Sequence, residues 1–535
     1  MGITPRPPDF AGTLQGNVAR FIMREDWLDA NDPATAWSGR PFELEYATEA
    51  KLYNYPDWAG TDPAHPVPEI AASRPRVSHQ GSVWTYEIPV RNTYRFSPPS
   101  NAAVTAESMR YSIERALSPE LGDFQPAALF LGELVGEDAF RSGKAAHVSG
   151  ITVEGSTLVL RTVTPVPDLV ERLAMPFFSA MPTGTPIADI DPQKHPIPSA
   201  GPYYISYQNV GWQTVVRRNP NYRGPRPHNL EAVVYVAGID TGPAAAQIVE
   251  GKLDYLAEQY PDYGALQPGG DIARRYASQD ANASGRPRYV SLQLPALRYL
   301  SFNTRHGPFA DVDARRAVNA ILDRRALAST DGGVPTDQYL PPALMGAEMD
   351  HHLYPIEEPD LAEAKRLWAG RTDRLVLLTC RSPLCAAQTD VLRRSFSQLG
   401  VRLAVRAVSD QYTVPVGNAD LRVENWYLDE YDPSNLLGPP DSPEAVLFAT
   451  DPPINGFGNH NERLQLQAEA AQTLSGDRRR DAYAALAQDS LRTWAPWAVF
   501  SQVAQPAFFS ARLGCISSSP AYFGIDIARL CIRSE

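Results

Sequence analysis

A chain of 535 residues with 43% hydrophobic and 21% charged residues is long enough for two to four domains with buried cores, and its composition excludes large-scale disorder. Its net charge of −12 comes from 61 acids and 49 bases spread along the whole length with no block of like charge, so no nucleic-acid partner is expected. Apolar runs such as "LVLLT" (375–379) and "AVVYVAG" (232–238) fall far short of the ~20 residues that span a bilayer.

The opening "MGITPRPPDF" has no basic stretch leading into an apolar run, so a secretory signal is expected to be removed or never present. The 49 prolines and 36 glycines announce many turns in an ordered chain. Four cysteines fall as two close pairs, Cys380 with Cys385 and Cys515 with Cys531. Two local disulfides in an oxidising compartment are the leading expectation, free thiols the alternative, and neither spacing is that of a zinc knuckle.

In chain order, "GSVWTYEIPVRNTYRFS" (81–97) is rich in aromatic and β-branched residues and predicts strands. "VTAESMRYSIERALSPE" (104–120) predicts a helix capped by Thr105, with Met109, Ile113, Ala116 and Leu117 on one face and Ser118-Pro119 as the stop. "ITVEGSTLVLRTVTPVPDLVERL" (151–173) predicts two strands turning at Gly155, then a helix after Pro167. An aromatic hairpin follows at 199–224, a buried strand at 230–238 and a short helix at 242–256, a succession that favours a mixed α/β sheet.

"DVDARRAVNAILDRRAL" (311–327) carries Ala314, Ala317, Val318, Ile321 and Leu322 at helical spacing and predicts one continuous helix. "RLVLLTC" (374–380), a Pro-containing loop, a helix at 386–399 and "VRLAVRAV" (401–408) predict a β-loop-α-β unit; open α/β sheets bind ligands at the carboxyl ends of such strands. Two helical runs then meet at Ser475-Gly476-Asp477, and "APWAVFSQ" (495–502) returns as a strand.

No G-x-S-x-G elbow, phosphate loop, G-x-G-x-x-G or H-E-x-x-H is present, and no catalytic residue or metal site is assigned. His351-His352 is adjacent in sequence and diverges on a helix or strand, so it reads as surface loop rather than metal ligand. "ENWYLDEYDPSNLL" (424–437) sets Asp429, Glu430 and Asp432 behind Trp426 and Tyr427. The acids stand at positions 1, 2 and 4, which fails the calcium-loop pattern, and local sequence cannot supply the separation of a glycosidase pair. Asp432-Pro433 suits a type I turn, while Asp429 ends a strand-like run where the chain passes into a loop.

Five stretches in order resemble the family 5 extracellular solute-binding proteins, which deliver ligands to bacterial ABC importers. "YRFSPPSNAAVTAESMRYSIERAL" resembles F-S-D-G-x-P-V-T-A-x-D-V-x-Y-S-x-x-R-A-L, and "SAGPYYISYQNVGWQTVVRRNPNYRG" resembles G-T-G-P-Y ending in R-N-P-x-Y. "RYLSFNTRHGPFADVDARRAVNAILDRRAL" is similar to the L-x-F-N-T, P-F, D-V-R-V-R-x-A-x-x-x-A-I-D-R series, "ENWYLDEYDPSNLL" to G-W-x-x-D-x-x-D-P-x-N, and "RTWAPWAVF" to the C-terminal A-P-W. Prolines replace the Asp-Gly turn at 98–99, and Asn425-Trp426 stands where the family has Gly-Trp.

The resemblance implies an α/β, two-lobed periplasmic-binding-protein fold of type II, in its large cluster, with mixed sheets flanked by helices and two hinge strands near 288–297 and 497–503. It divides the chain into lobe I at 1–46, 169–290 and 500–535, an inserted subdomain at 47–168, and lobe II at 291–499. It implies a receptor with no cofactor and no catalysis, expected to be a monomer, with ABC permease transmembrane subunits as its protein partner. Its place would be periplasmic or cell-surface, with lipid anchoring through a segment outside this chain as one mode of attachment.

In peptide-binding members the aspartate of G-W-x-x-D takes the ligand's α-amino group, which carries that role to Asp429. Trp426 and Tyr427 then stand as ligand-packing or core residues, and Arg381, after "RLVLLTC", falls near an arginine that dipeptide binders give to the ligand carboxylate. Trp37 and Tyr46 occupy the N-terminal region that borders the family's cleft. A peptide or other small amine is the leading ligand class; the family also takes sugars, nickel complexes, haem and opine-like solutes. Rivals are a secreted hydrolase using Asp429 with a second acid, and a chaperone or adhesion protein on the same scaffold.

Overall fold

Val18–Ile22, a run of five apolar or aliphatic-stemmed residues, forms a strand covered on both faces, as parallel strands with helical crossovers require. It pairs in parallel with Ala232–Val236, Val18 opposite Ala232, and at Phe21 with Tyr255 of Tyr255–Ala257. Gln213–Arg218 and Tyr203–Asn209 extend this sheet antiparallel, the last pair interrupted by a register shift between Ile205 and Tyr207. The computed structural model describes residues 7–23, 32–36, 39–55, 65–122, 125–188, 197–209, 211–257, 264–345, 352–409, 414–440, 446–448, 457, 460–518 and 524–533. Among the described residues no helix is long and apolar enough to cross a membrane.

The chain divides into two units, the first made of 1–257, 271–290 and 507–535, the second of 258–270 and 291–506. Two long strands carry the chain across these boundaries, Arg288–Phe302 at 290/291 and Trp497–Phe509 at 506/507.

The first unit holds a second, antiparallel sheet in the order Arg76–Gln80, Val83–Pro89, Thr157–Thr162, Ile151–Glu154. Gly155 adopts φ 64° at its tight turn, a conformation in which a Cβ would be strained. Helix Ala106–Ala116 starts as its sequence predicts: Thr105 Oγ1 accepts from the Ser108 amide at 3.1 Å, and Ser108 Oγ accepts from the Thr105 amide at 2.8 Å. Its Met109, Ile113 and Ala116 are buried.

The interior of this unit also contains charge. Arg115 pairs with Asp32 (Nη1–Oδ1 2.8 Å), and Arg226 pairs with Glu69 (Nε–Oε1 2.7 Å). Lys51 is fully buried among Glu45, Glu49 and Glu69, its ammonium nitrogen 4.3 Å from the Tyr46 ring centre. Burial pushes the Glu49 carboxyl up to about 8 and the Lys51 ammonium down to about 7, and it raises Glu45 well above the ordinary carboxylate range.

The second unit is built on Arg402–Val408, Arg374–Cys380 and Leu421–Tyr427, mutually parallel, with Arg288–Phe302 antiparallel beyond. Its core packs Phe302, Phe309, Val318, Trp368, Leu377, Phe396, Leu421 and Phe500. Fully burying each large apolar side chain contributes about 1.5–3 kcal/mol.

Two expectations are corrected in this unit. The helix expected over 311–327 is two helices, Val312–Ile321 and Arg324–Ser329, because Leu322 turns to ψ 125° and the Asp323 carboxylate caps the Ala326 amide at 2.8 Å. The helix expected at 386–399 runs Pro383–Ser397 instead: Ser382 is its N-cap and Pro383 takes the first turn, where a missing N–H costs nothing. Helices Glu462–Gln472 and Gly476–Thr493 follow, joined through Ser475.

Both expected disulfides are present, Cys380–Cys385 and Cys515–Cys531. The second clamps the short bridge between Leu513–Gly514 and Cys531–Ile532. The first encloses Arg381 and Ser382 between the end of a strand and the start of a helix.

Candidate functional site

Strand Leu421–Tyr427 sets the geometry around the acid cluster. Leu421 to Glu424 are buried, while Asn425, Trp426 and Tyr427 are half-exposed, so the strand leaves the core toward its carboxyl end. Arg422 Nε bonds Glu424, which also accepts from Ser301 Oγ, so the buried charges of this strand are internally paired. Beyond the strand, the Leu428 amide bonds the Pro295 carbonyl at 2.8 Å and its side chain returns to the core.

Past Leu428 the three acids have different surroundings. Asp429 is half-exposed, and Glu430 and Asp432 are buried. Glu430 Oε1 accepts from Ser434 Oγ at 3.3 Å. Asp432 Oδ1 accepts from the Ser434 amide at 2.9 Å and from Ser434 Oγ at 2.6 Å, closing the turn. Arg479, buried in helix Gly476–Thr493, completes it with a fork: Nε donates to Oδ2 at 3.0 Å and Nη2 to Oδ1 at 2.9 Å. The Arg479 guanidinium also lies 5.1 Å from the Tyr483 ring centre. Asp432 is therefore the turn-forming, ion-paired member of the cluster, and Asp429 is the member that meets solvent.

The aromatics also divide. Tyr427 lies opposite Ala296 in the antiparallel ladder and packs on Leu294, Ala296 and Val503. Trp426 donates its indole Nε1–H to Asn435 Oδ1 at 3.1 Å. Asn435 sits with no exposed surface in the short helix Ser434–Leu437 that the Asp432 turn begins.

Arg381 follows the carboxyl end of Arg374–Cys380, the parallel neighbour of Leu421–Tyr427. It is exposed and its Nε donates to the Ala407 carbonyl at 3.0 Å, which lays the guanidinium along the next strand. Arg381 and Asp429 thus come after the carboxyl ends of two adjacent parallel strands, the end of an open α/β sheet where ligands collect. Tyr46 belongs to the first unit, in helix Gly39–Thr48, and is only 6% exposed. Its carbonyl accepts from Arg226, and burial holds its phenol well above the usual range. Trp37 and His351 lie outside the described residues.

Sequence reasoning missed Arg479 and the contact of Asn435. Arg479 sits in a run of three arginines, Arg478 to Arg480, with nothing local to mark which one turns inward toward a carboxylate 47 positions away. Asn435 is the last residue of the "DPSN" tetrad, where composition signals only a turn.

The fold is that of the two-lobed solute-binding proteins. Over 97% of its length the chain matches 98% of the murein tripeptide-binding protein MppA in its unliganded open form, with TM-score 0.76 at 20% identity. It likewise matches 96% of clavulanic acid biosynthesis oligopeptide binding protein 2, with TM-score 0.77 at 19% identity. The peptide-bound OppA of Listeria monocytogenes matches over 99% of its own length and 97% of this chain, with TM-score 0.66 at 16% identity.

The chain belongs to the family described as bacterial extracellular solute-binding proteins, family 5, whose middle region matches residues 65–446. The periplasmic oligopeptide-binding protein OppA of Escherichia coli (strain K12) is 22% identical over 298 residues, 53% of this chain and 50% of that protein. The probable D,D-dipeptide-binding periplasmic protein DdpA of the same organism is 23% identical over 246 residues, 44% of each. The matched stretch therefore spans about half the length of the curated relatives.

Proposed function

We propose that this protein is the extracytoplasmic substrate-binding receptor of an ABC import system, taking up a peptide or another small amine-bearing solute and handing it to the membrane permease. Asp429 receives the ligand's ammonium, Trp426 and Tyr427 offer it apolar surface, and Arg381 is the candidate partner for a carboxylate. Binding proceeds without covalent chemistry, and the protein works as a monomer outside the cytoplasm. Within lobe I, the segment 47–168 forms the inserted subdomain and carries the four-stranded sheet.

The observation that carries this reading is the division of labour among the acids: Asp432 is committed to Arg479 and the turn, Glu430 is buried, and Asp429 meets solvent after the strand's carboxyl end. A carboxylate so placed makes a charge-assisted bond to an ammonium in a site that excludes water, and a ligand without an amine forgoes that bond. The names of OppA, MppA and the peptide-bound Listeria protein support peptides as the class.

Thermal-shift screening against peptides, free amino acids, sugars and metal ions tests the reading. Peptides present at about 100 times their Kd stabilise the folded state by about 2.7 kcal/mol and raise the melting temperature. Asp429→Ala abolishes that response. A peptide response that survives Asp429→Ala unchanged overturns the anchor, and release of shortened peptides would mark a hydrolase instead.

A further inference from the structure

The "DPSN" turn does more than begin the short helix Ser434–Leu437. Its first residue, Asp432, is held by the Arg479 fork and by the Ser434 amide and hydroxyl. Its fourth residue, Asn435, accepts the Trp426 indole N–H at 3.1 Å. The Asn435 amide bonds the Asp432 carbonyl at 3.2 Å, and the Leu447 amide bonds the Leu436 carbonyl at 3.0 Å, so the short helix that carries Asn435 is fixed at both ends. Asn435 has no exposed surface, whereas Trp426 is half-exposed. A buried acceptor thus faces the polar edge of a partly exposed indole three residues before Asp429.

An indole has only two side-chain torsions, and its single N–H donor seeks a partner when half-buried. A strand residue commonly chooses between rotamers with χ1 near 180° and −60°. A fixed acceptor at one edge of the ring selects among them. We propose that Asn435 is a positioning residue for ligand recognition: through its bond to Trp426 it sets the face that the indole presents beside Asp429, with the Arg479–Asp432 pair holding Asn435 in place. The proposal rests on the reading of Asp429 and Trp426 as ligand-contacting residues. It assigns the selectivity of the site partly to a side chain that never touches the ligand.

The test combines a signature of the free protein with a cycle of substitutions. In 1H–15N spectra of the unliganded chain, the Trp426 indole signal is identified by its loss in Trp426→Phe. In Asn435→Ala that signal moves upfield and exchanges faster with solvent, while the other tryptophan indoles stay in place.

Peptide capture is then read by native mass spectrometry from a synthetic mixture of di-, tri- and tetrapeptides. Asn435→Ala weakens capture about five-fold, the equivalent of one net hydrogen bond, and broadens the range of peptides taken. Trp426→Phe has a comparable effect, and adding Asn435→Ala to it changes nothing further, because the asparagine acts through the indole.

Unchanged capture in Asn435→Ala, or losses that simply add in the double variant, overturns the proposal. An unmoved indole signal does the same without any ligand. Should Asn435→Ala fold poorly, Trp426→Phe alone decides the point: it removes the donor and leaves Asn435 in place, and an unaltered capture profile contradicts the proposal. A wild-type protein that captures no peptide while the indole signal responds as expected identifies the peptide reading itself as the failure, and with it the ligand role given to Asn435.

Discussion

Arg479 grips Asp432 with two nitrogens, Nε at 3.0 Å from Oδ2 and Nη2 at 2.9 Å from Oδ1, and both side chains are buried. The pair joins helix Gly476–Thr493 to the turn after strand Leu421–Tyr427. Arg479→Met leaves a buried carboxylate without its cation, which costs about 3–5 kcal/mol in chemical denaturation of the chain. Combining it with Asp432→Asn recovers most of that loss, because no uncompensated charge remains. A single substitution costing less than about 1 kcal/mol would show that solvent already screens the pair.

The Lys51 cluster gives a pH dependence with a definite sign. Glu49 titrates near 8 when folded against an ordinary 4.5, so from about 4.5 to 8 the folded chain holds an extra proton and stability from this group falls as pH rises. Lys51 titrates near 7 when folded against an ordinary 10.5, so from about 7 to 10.5 the unfolded chain holds the extra proton and stability from this group rises with pH. Between about 7 and 8 the two effects oppose. Denaturation midpoints measured across this range are expected to fall less steeply from pH 5 to 7 in Glu49→Gln, and to lose the upward contribution from pH 8 to 10 in Lys51→Met.

The two disulfides close rings of different size, with sequence separations of 5 and 16. In the chain-entropy view, loss of the Cys380–Cys385 bridge costs about 2 kcal/mol and loss of the Cys515–Cys531 bridge about 3 kcal/mol. Paired Cys→Ser variants compared by denaturation check the order. The smaller bridge should instead affect ligand binding, since Arg381 lies within its ring; equal affinities in Cys380→Ser/Cys385→Ser and the wild type would show that the loop holds its shape without it.

Thr105→Ala removes one bond of a complete capping box and is expected to cost about 1 kcal/mol. Thr105→Ser keeps the hydroxyl and should cost only a few tenths of that, as read from the denaturation midpoint.

Helix Ala106–Ala116 and strand Arg374–Cys380 were legible because apolar residues at helical spacing, or in a continuous run, mark the core directly. Strand Arg76–Gln80 was not, since "RVSHQ" is exposed along its whole length and has no apolar face to read. The split at Leu322 is invisible to periodicity, which continues through it, while the cap of Asp323 that breaks the helix is a single side-chain bond. Of the acid cluster, the turn role of Asp432 could be read from its Pro neighbour. The Arg479 fork that fixes it depends on a residue distant in sequence, and buried arginines such as Arg226, Arg324 and Arg479 look like surface charge until the fold brings their partners in.

As proposed, Asp429 holds a ligand amine. Calorimetric titration of one captured peptide against its N-acetylated twin tests it most directly. A charge-assisted bond of about 1.5–3 kcal/mol corresponds to a loss of about 10- to 150-fold on acetylation. That loss is expected in the wild type, and in Asp429→Asn a weak affinity that acetylation no longer changes. Equal affinity of the wild type for the free and acetylated peptides would contradict it.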